Sequence, residues 1–230
     1  IILLENICNS RYDAIKLNQS GYRCFRNCRY ECILDIGQIG PAYQPGHAHA
    51  DTFNFVLNIK DEPFLIDNGI STYEANEIRQ REKGTASHNT VTILDKDSSE
   101  VWSSFRVGQR ANVIILRDDK NHVFACHDGY RKFNTIHKRG WIFNDNQIEI
   151  IDILEGRINS GKAHLLLSPE IKPILRRNIV ECHNCVIRFD YEDSIKIIST
   201  TISNGFNNYS NSYEIEISFH DILSTIIQIL

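Results

Sequence analysis

Methionine is absent from the 230 residues, tryptophan occurs twice and proline five times. A chain that opens on Ile1 with no methionine anywhere is expected to be a piece of something longer, so missing targeting signals carry no information on localisation. No apolar run approaches the roughly 18–20 residues of a membrane-spanning helix. The opening Ile1-Ile2-Leu3-Leu4 is too short for a signal peptide and lacks its basic start. Charge of one sign is not in large excess: the net charge of −4 and pI near 6.1 argue against a general nucleic-acid binder. Basic residues do cluster at Arg79/Arg81/Lys83, at Arg106/Arg110 and at Arg131/Lys132/Lys138/Arg139, and each cluster reads first as a solvated strand edge or loop. Seven cysteines cannot all pair within the chain. Neither Cys24/Cys28/Cys32 nor the single Cys182-His183-Asn184-Cys185 supplies the two C-x-x-C pairs of a structural zinc site. They read as buried or edge cysteines, with His183-Asn184 in a tight hairpin turn.

Helical periodicity is also scarce, and shows only in the last residues, if anywhere. What recurs instead is short runs of Val, Ile, Tyr, Phe and Thr separated by turn residues. Period-2 alternation is plain in Gln147–Ile153 and in Tyr213–Ile217. Strands are predicted at Tyr22–Phe25, Tyr30–Ile36, Thr52–Ile59, Phe64–Asp67 and Thr90–Leu94, then from Arg110 to Phe219 at short intervals, with separate strands at Cys185–Tyr191 and Ser194–Thr201. Many short strands with regular turns mean an all-β chain, a large antiparallel sandwich with few or no helices. No repeat or low-complexity linker divides it. Residues 1–19 are expected to be an extension or the remnant of a preceding domain, a short helix or a tail, and residues 20–230 the sandwich. Hydrophobic residues at 42% and charged ones at 23% suit a chain with a proper core rather than a disordered one.

Polar chemistry concentrates in Gly46–Thr90. His47-Ala48-His49-Ala50-Asp51 precedes one strand, Asp67-Asn68-Gly69 follows the next, and Ser87-His88-Asn89-Thr90 precedes a third. Strand alternation would put His47, His49 and Asp51 on one face with Phe53 and Phe55. Imidazoles and a carboxylate on such a face are costly to desolvate unless something pairs with them. His49, Asp67 and His88 would come from three strand ends. On spacing alone they read first as buried histidines hydrogen-bonded to carboxylates, with a zinc site that has water or substrate in the fourth position as the alternative. Asn68–Ser87, long and polar, reads as a functional or mobile excursion that holds at most a helical turn.

The order and wording of these motifs resemble the C-terminal β-sandwich domain of the heparinase II/III-like polysaccharide lyases. The matching pieces are Ser20-Gly21-Tyr22, Gly46–Asp51, Leu65–Gly69, Thr72-Tyr73, Thr85–Thr90, Trp102, Phe105–Gly108, His137-Lys138-Arg139 and His164–Pro169. The pattern departs from the family at Asn68, usually proline, and at Lys83, usually arginine. The resemblance implies β-elimination at a uronic acid of an anionic polysaccharide, a catalytic role for His47, and a zinc or other divalent ion on His49, Asp67 and His88. It also implies an N-terminal α-helical toroid that carries the catalytic tyrosine, and favours a periplasmic or extracellular setting. This chain shows no such helical region; Tyr73 and Tyr130 are the local candidates for a substitute, with packing or substrate contact the commoner role. Tyr73 and Arg106 are the candidate substrate contacts, Arg106 having as its alternative the tethering of the acidic loop Asp95–Glu100. No nucleic acid or membrane partner is expected.

Two other functions compete. A carbohydrate-binding or supporting sandwich needs no His47, since a structural metal site is complete with His49, Asp67 and His88. A metallohydrolase would need a dense two-metal carboxylate–histidine cluster or an H-E-x-x-H helix, and the sequence has neither.

Overall fold

The computed structural model describes residues 13–16, as backbone, and 20–230. The first sheet is antiparallel and runs β1 (Asp13–Lys16), β2 (Tyr22–Arg26), β3 (Tyr30–Asp35), β4 (Phe55–Ile59) and β5 (Glu62–Leu65) in that spatial order. β4 and β5 are joined by Lys60-Asp61, both at positive φ (51° and 65°), the turn whose twist matches that of paired strands. The larger sheet comprises β6 (Val91–Thr92), β9 (Val113–Asp118), β10 (His122–His127), β11 (Thr135–Phe143), β12 (Gln147–Gly156), β13 (Ser160–Leu166), β14 (Ile174–Arg176), β15 (Ile179–Glu181), β16 (Cys185–Ser203) and β17 (Tyr209–Ile229). β17 is long enough to pair β13 along its first half and β12 along its second. A short ribbon, β7 (Val101–Trp102) and β8 (Arg106–Val107), stands apart. One α-helix, α1 (Glu77–Lys83), occurs among the described residues. None of their helices is long and apolar enough to cross a membrane.

The all-β sandwich expected from alternation is therefore the observed architecture. Its two sheets share one core, with Phe25 stacked on Phe143 across the layers at 3.9 Å between ring centres. The thiols of Cys24, Cys28, Cys32, Cys126, Cys182 and Cys185 are free, and Cys182–Cys185 is the expected tight turn, closed by Cys182 N–H donating to Cys185 C=O.

Four local expectations are corrected. Asp13–Lys16 is a strand paired with β2, where a short helix or tail was expected; the remaining residues of 1–19 lie outside those described. The closing residues are the end of β17, with Leu223, Thr225, Ile227 and Ile229 buried on one face at a spacing of two. Their β-branched content suits a pleated surface better than a helix. Cys185–Ser203 is one strand, not two, bent by register shifts around Asp190–Ser194 where Tyr191 takes φ 71°. Finally, β4 begins at Phe55 rather than Thr52. Phe53 sits in a turn at φ 69°, so the alternation argument fails for His47, His49 and Asp51, which lie in loop.

That turn is held from the core. Arg139 and Asp152 face one another across β11 and β12 and are both buried among apolar neighbours. The guanidinium grips the carboxylate with two bonds, Nε to Oδ1 at 2.6 Å and Nη2 to Oδ2 at 2.9 Å. Its remaining Nη1 donates to the carbonyls of Phe53 (3.0 Å) and Asn89 (2.7 Å). His137 Nε2 bonds Asp152 at 2.7 Å, and His127 Nε2 meets His137 Nδ1 at 3.0 Å. Burial works against the Asp152 carboxylate, yet Arg139 and His137 outweigh it and hold its pKa down to about 2. Burial depresses both imidazoles, which stay neutral.

All three shifts act in one direction on stability. A group whose pKa is lowered on folding contributes fully above its unfolded value and loses that contribution as pH falls toward its folded one. The histidine contribution begins to go below about pH 6.5 and that of Asp152 below about pH 4. Urea denaturation at a series of pH values is expected to show stability falling on both limbs. Asp152→Asn should cost roughly 3–5 kcal/mol at neutral pH, because it strands a buried guanidinium, and should flatten the limb below about pH 4.

Candidate functional site

Asn89 organises the region. Its side-chain amide donates to the carbonyls of Phe55 on β4 (2.7 Å) and Ile66 after β5 (2.9 Å), and its oxygen accepts from Leu166 N–H on β13 (2.6 Å). Thr90 Oγ1 donates to Thr52 C=O at 2.7 Å, and Thr85 Oγ1 to Ala50 C=O at 2.7 Å. Asn54 links the remaining pieces, accepting from Asn89 N–H at 2.9 Å and donating to Asp67 Oδ2. In His88-Asn89-Thr90, therefore, Asn89 and Thr90 knot three loops together while His88 is left to face Asp67.

His88 Nδ1 and Asp67 Oδ2 are 3.2 Å apart, and the rings of His49 and His88 lie 5.3 Å apart between centres. Burial opposes charge on His88, but Asp67 overcomes it and raises the imidazole to about 9. Burial likewise opposes ionisation of Asp67, and His88 with the Gly69 N–H nevertheless keeps it below the usual carboxylate range. Burial, His88 and Arg79 together lower His49 to about 3. Asp51 is pushed up to about 7, chiefly by burial.

One feature of the trio fits a divalent ion. The 3.2 Å between Asp67 Oδ2 and His88 Nδ1 matches the edge of a tetrahedron with ~2.0–2.1 Å bonds, about 3.3 Å, and it is equally the length of a hydrogen bond. His88 Nε2, buried without a hydrogen-bond partner, lies on the other side of the ring and cannot face the same ion. One feature opposes it. His49 Nε2 faces Arg79 Nη1 at 3.1 Å, and among the described residues no three His, Cys, Asp or Glu side chains converge as a metal group. His49 would have to leave Arg79 to join the other two.

His47 has a different environment. It is exposed and stands edge-on to Phe105 (5.2 Å) and Tyr73 (6.0 Å), which stack on one another at 5.6 Å. The Arg79 guanidinium lies under the Tyr73 ring, 5.5 Å from its centre. Tyr130 is in the core, its hydroxyl donating to Val91 C=O at 2.6 Å, and is no candidate for proton transfer at this surface. Arg106 is exposed and makes no ion pair among the described residues; Glu100 of the acidic loop pairs with Lys132 instead. Arg110 donates to the carbonyls of Ile39 and Pro41, tying down the loop that delivers His47.

A family model described as heparinase II/III-like, C-terminal, matches residues 9–228. The chain belongs to this family. The heparinase II/III-like sandwich is also the fold of known structures. A mutant of the heparan sulfate lyase HepC from Pedobacter heparinus aligns with TM-score 0.76 and 18% identity, over 96% of this chain and 37% of that one. The heparinase III BT4657 gene product aligns with TM-score 0.75 and 16% identity, over 96% of this chain and 36% of its own. The chain thus spans little more than a third of these relatives. No curated protein matches it in sequence.

Within this heparinase II/III-like domain, the expectation that the basic clusters are solvated is corrected for Arg139 in the core and for Arg79 and Lys83. Arg79 and Lys83, one turn apart on α1, are fully buried, and neither forms an ion pair among the described residues. Arg79 keeps Nε and Nη2 unpartnered, and Lys83 reaches only the carbonyls of Ser104 and Arg106, each at 3.4 Å. The neighbouring carboxylate, Glu82, is engaged by Ser71. The signal was their spacing of four on a helix whose Asn76 cap accepts from Arg79 N–H at 2.9 Å, hidden because the segment read as loop. Asn89→Ala should leave two carbonyls and one N–H without partners and destabilise the domain by roughly 3 kcal/mol or more, a loss that urea denaturation would read.

Proposed function

We propose that this domain is the β-sandwich half of a polysaccharide lyase that cleaves a uronic-acid-containing anionic polysaccharide by β-elimination. The rest of the active site would lie on an N-terminal α-helical toroid of the full-length protein. The observation that carries this reading is the division of labour within Gly46–Asp51. His49 is buried beside His88 with its Nε2 on Arg79, whereas His47 is presented at the surface against Tyr73 and Phe105. A site built only for structure has no use for that exposed imidazole.

In β-elimination a base removes the proton next to the carboxylate, the carbon–oxygen bond to the neighbouring sugar breaks, a carbon–carbon double bond forms, and the departing oxygen takes up a proton. The α-proton is hard to remove until the carboxylate charge is neutralised. His47 is placed to donate to that carboxylate or to shuttle the proton. Arg79 beneath Tyr73 adds positive potential to the same patch, and Tyr73 offers a hydroxyl and a ring for substrate contact. Arg106, exposed and unpaired, suits a carboxylate or sulfate of the sugar chain. His49, Asp67 and His88 would hold zinc or another divalent ion. Its contribution when bound would be to clamp the three loops and add positive charge beside His47.

The Arg79–His49 bond favours a second reading, in which these side chains form a hydrogen-bonded cluster and the sandwich only grips carbohydrate. Elemental mass spectrometry separates the two. The lyase reading expects near one divalent ion per chain in the wild type and its loss in His88→Ala, which should also unfold more readily. Protein purified without chelator and free of metal would support the second reading. In the full-length protein, His47→Ala should keep its metal and fold but lose roughly 10²-fold or more in cleavage, followed by absorbance of the unsaturated product. Undiminished cleavage by that variant would end the catalytic assignment.

A further inference from the structure

The β7–β8 ribbon carries a second aromatic platform that the site at His47 does not use. Phe105 on its turn touches His47, while Trp102, three positions earlier, is 44% exposed and borders a separate cavity of about 550 Å³. Pockets of this size accommodate small organic rings. The cavity is lined on its polar side by Lys96, Asp97, Glu100, Gln109 and Lys132, two cations balanced by two carboxylates with Lys132 paired to Glu100, and by Phe133 among its apolar walls.

Three observations point to a sugar. The Trp102 indole N–H and the Gln109 side-chain amide have no partner among the described residues, so donors and an acceptor stand free beside an open ring face. Trp102 pairs directly opposite Arg106 across the ribbon. Opposed residues of antiparallel strands share a face, which puts Arg106, without an ion pair among the described residues, on the same face of the ribbon as the indole, outside the cavity lining. Gly108 keeps the ring seated: a Cβ there would come within 3.0 Å of Trp102 Cζ3 and 2.6 Å of Glu100 Oε2. Aromatic surface for the C–H face of a pyranose, amide and charged groups for its hydroxyls, and a guanidinium for a carboxylate or sulfate are what an acidic sugar requires.

We propose that Trp102, with Arg106 and the cavity beside it, forms a second sugar subsite. It takes a pyranose ring of the same polysaccharide at a distance along the chain from the unit held at His47. The inference rests on the lyase reading for the identity of the polymer, not for the existence of the platform.

The test uses heparan sulfate oligosaccharides, a tetrasaccharide and an octasaccharide, titrated calorimetrically into the 230-residue chain. The octasaccharide should bind the wild type roughly tenfold more tightly than the tetrasaccharide, a difference of about 1.4 kcal/mol. Trp102→Ala should abolish that gain, Trp102→Phe should keep most of it, and Gly108→Ala, which crowds the ring without removing it, should reduce it. The other tryptophan, Trp141, is fully buried, so a saturable change in emission on adding octasaccharide reports Trp102. A length gain that persists in Trp102→Ala, or the absence of any gain in the wild type, overturns the subsite. Cleavage of uronic-acid polymers by the full-length protein is measured separately. Cleavage together with an unchanged gain in Trp102→Ala sinks the subsite alone. A Trp102-dependent gain in a full-length protein that cleaves none of them sinks the lyase reading alone.

Discussion

The Asn89 amide is the constraint on which the rest of the site depends. Three backbone groups, on β4, after β5 and on β13, converge on one side chain. Leaving buried carbonyls and N–H groups unpaired is costly, so the three segments are held at one separation. Two candidate donors flank that knot. Asp67 follows Ile66, whose carbonyl Asn89 holds, and His88 precedes Asn89 itself. The third, His49, is brought in from the other side by Thr85 on Ala50 and by Arg139 on Phe53.

Behind the knot, the Arg139–Asp152 pair joins core and surface. Its guanidinium donates from Nε and Nη2 to the carboxylate and from Nη1 to the carbonyls of Phe53 and Asn89, so the positive φ of Phe53 and the position of His88 answer to one buried ion pair. A buried pair of this kind is weak evidence of net stabilisation, since hydrophobic replacements often do as well. Its value here is geometric: an apolar pair would fill the same volume but would leave the two carbonyls without donors.

In front of the knot, the positive charge is arranged in depth. Arg79 and Lys83 lie buried without an ion pair among the described residues, Tyr73 stands over Arg79, and His47 and Arg106 stand at the surface. Buried cations are ordinarily paired. A surface whose buried cations are not paired internally attracts anions, and this is the charge pattern on which the proposal of an acidic polymer rests.

The sequence by itself determined the class of fold and the wording of the site. Alternation such as Gln147–Ile153 can bury one face only as a strand, and H-A-H-A-D, D-N-G and H-N-T stand at the ends of apolar runs that must pair. What it could not determine was which way each side chain of a loop points. His47 and His49 share a spacing of two, which on a strand means one face. The turn at Phe53 removes them from the strand, and only tertiary contacts then send His49 inward to Arg79 and leave His47 outside. The same holds for Asp152, a polar residue in an alternating run whose partner lies across the sheet on β11. It holds too for Asp13–Lys16 and the end of β17, whose short or mixed patterns became strands because a neighbouring edge offered hydrogen bonds. Local pattern sets which elements are available; burial, and the need to satisfy every buried polar group, decides how they are used.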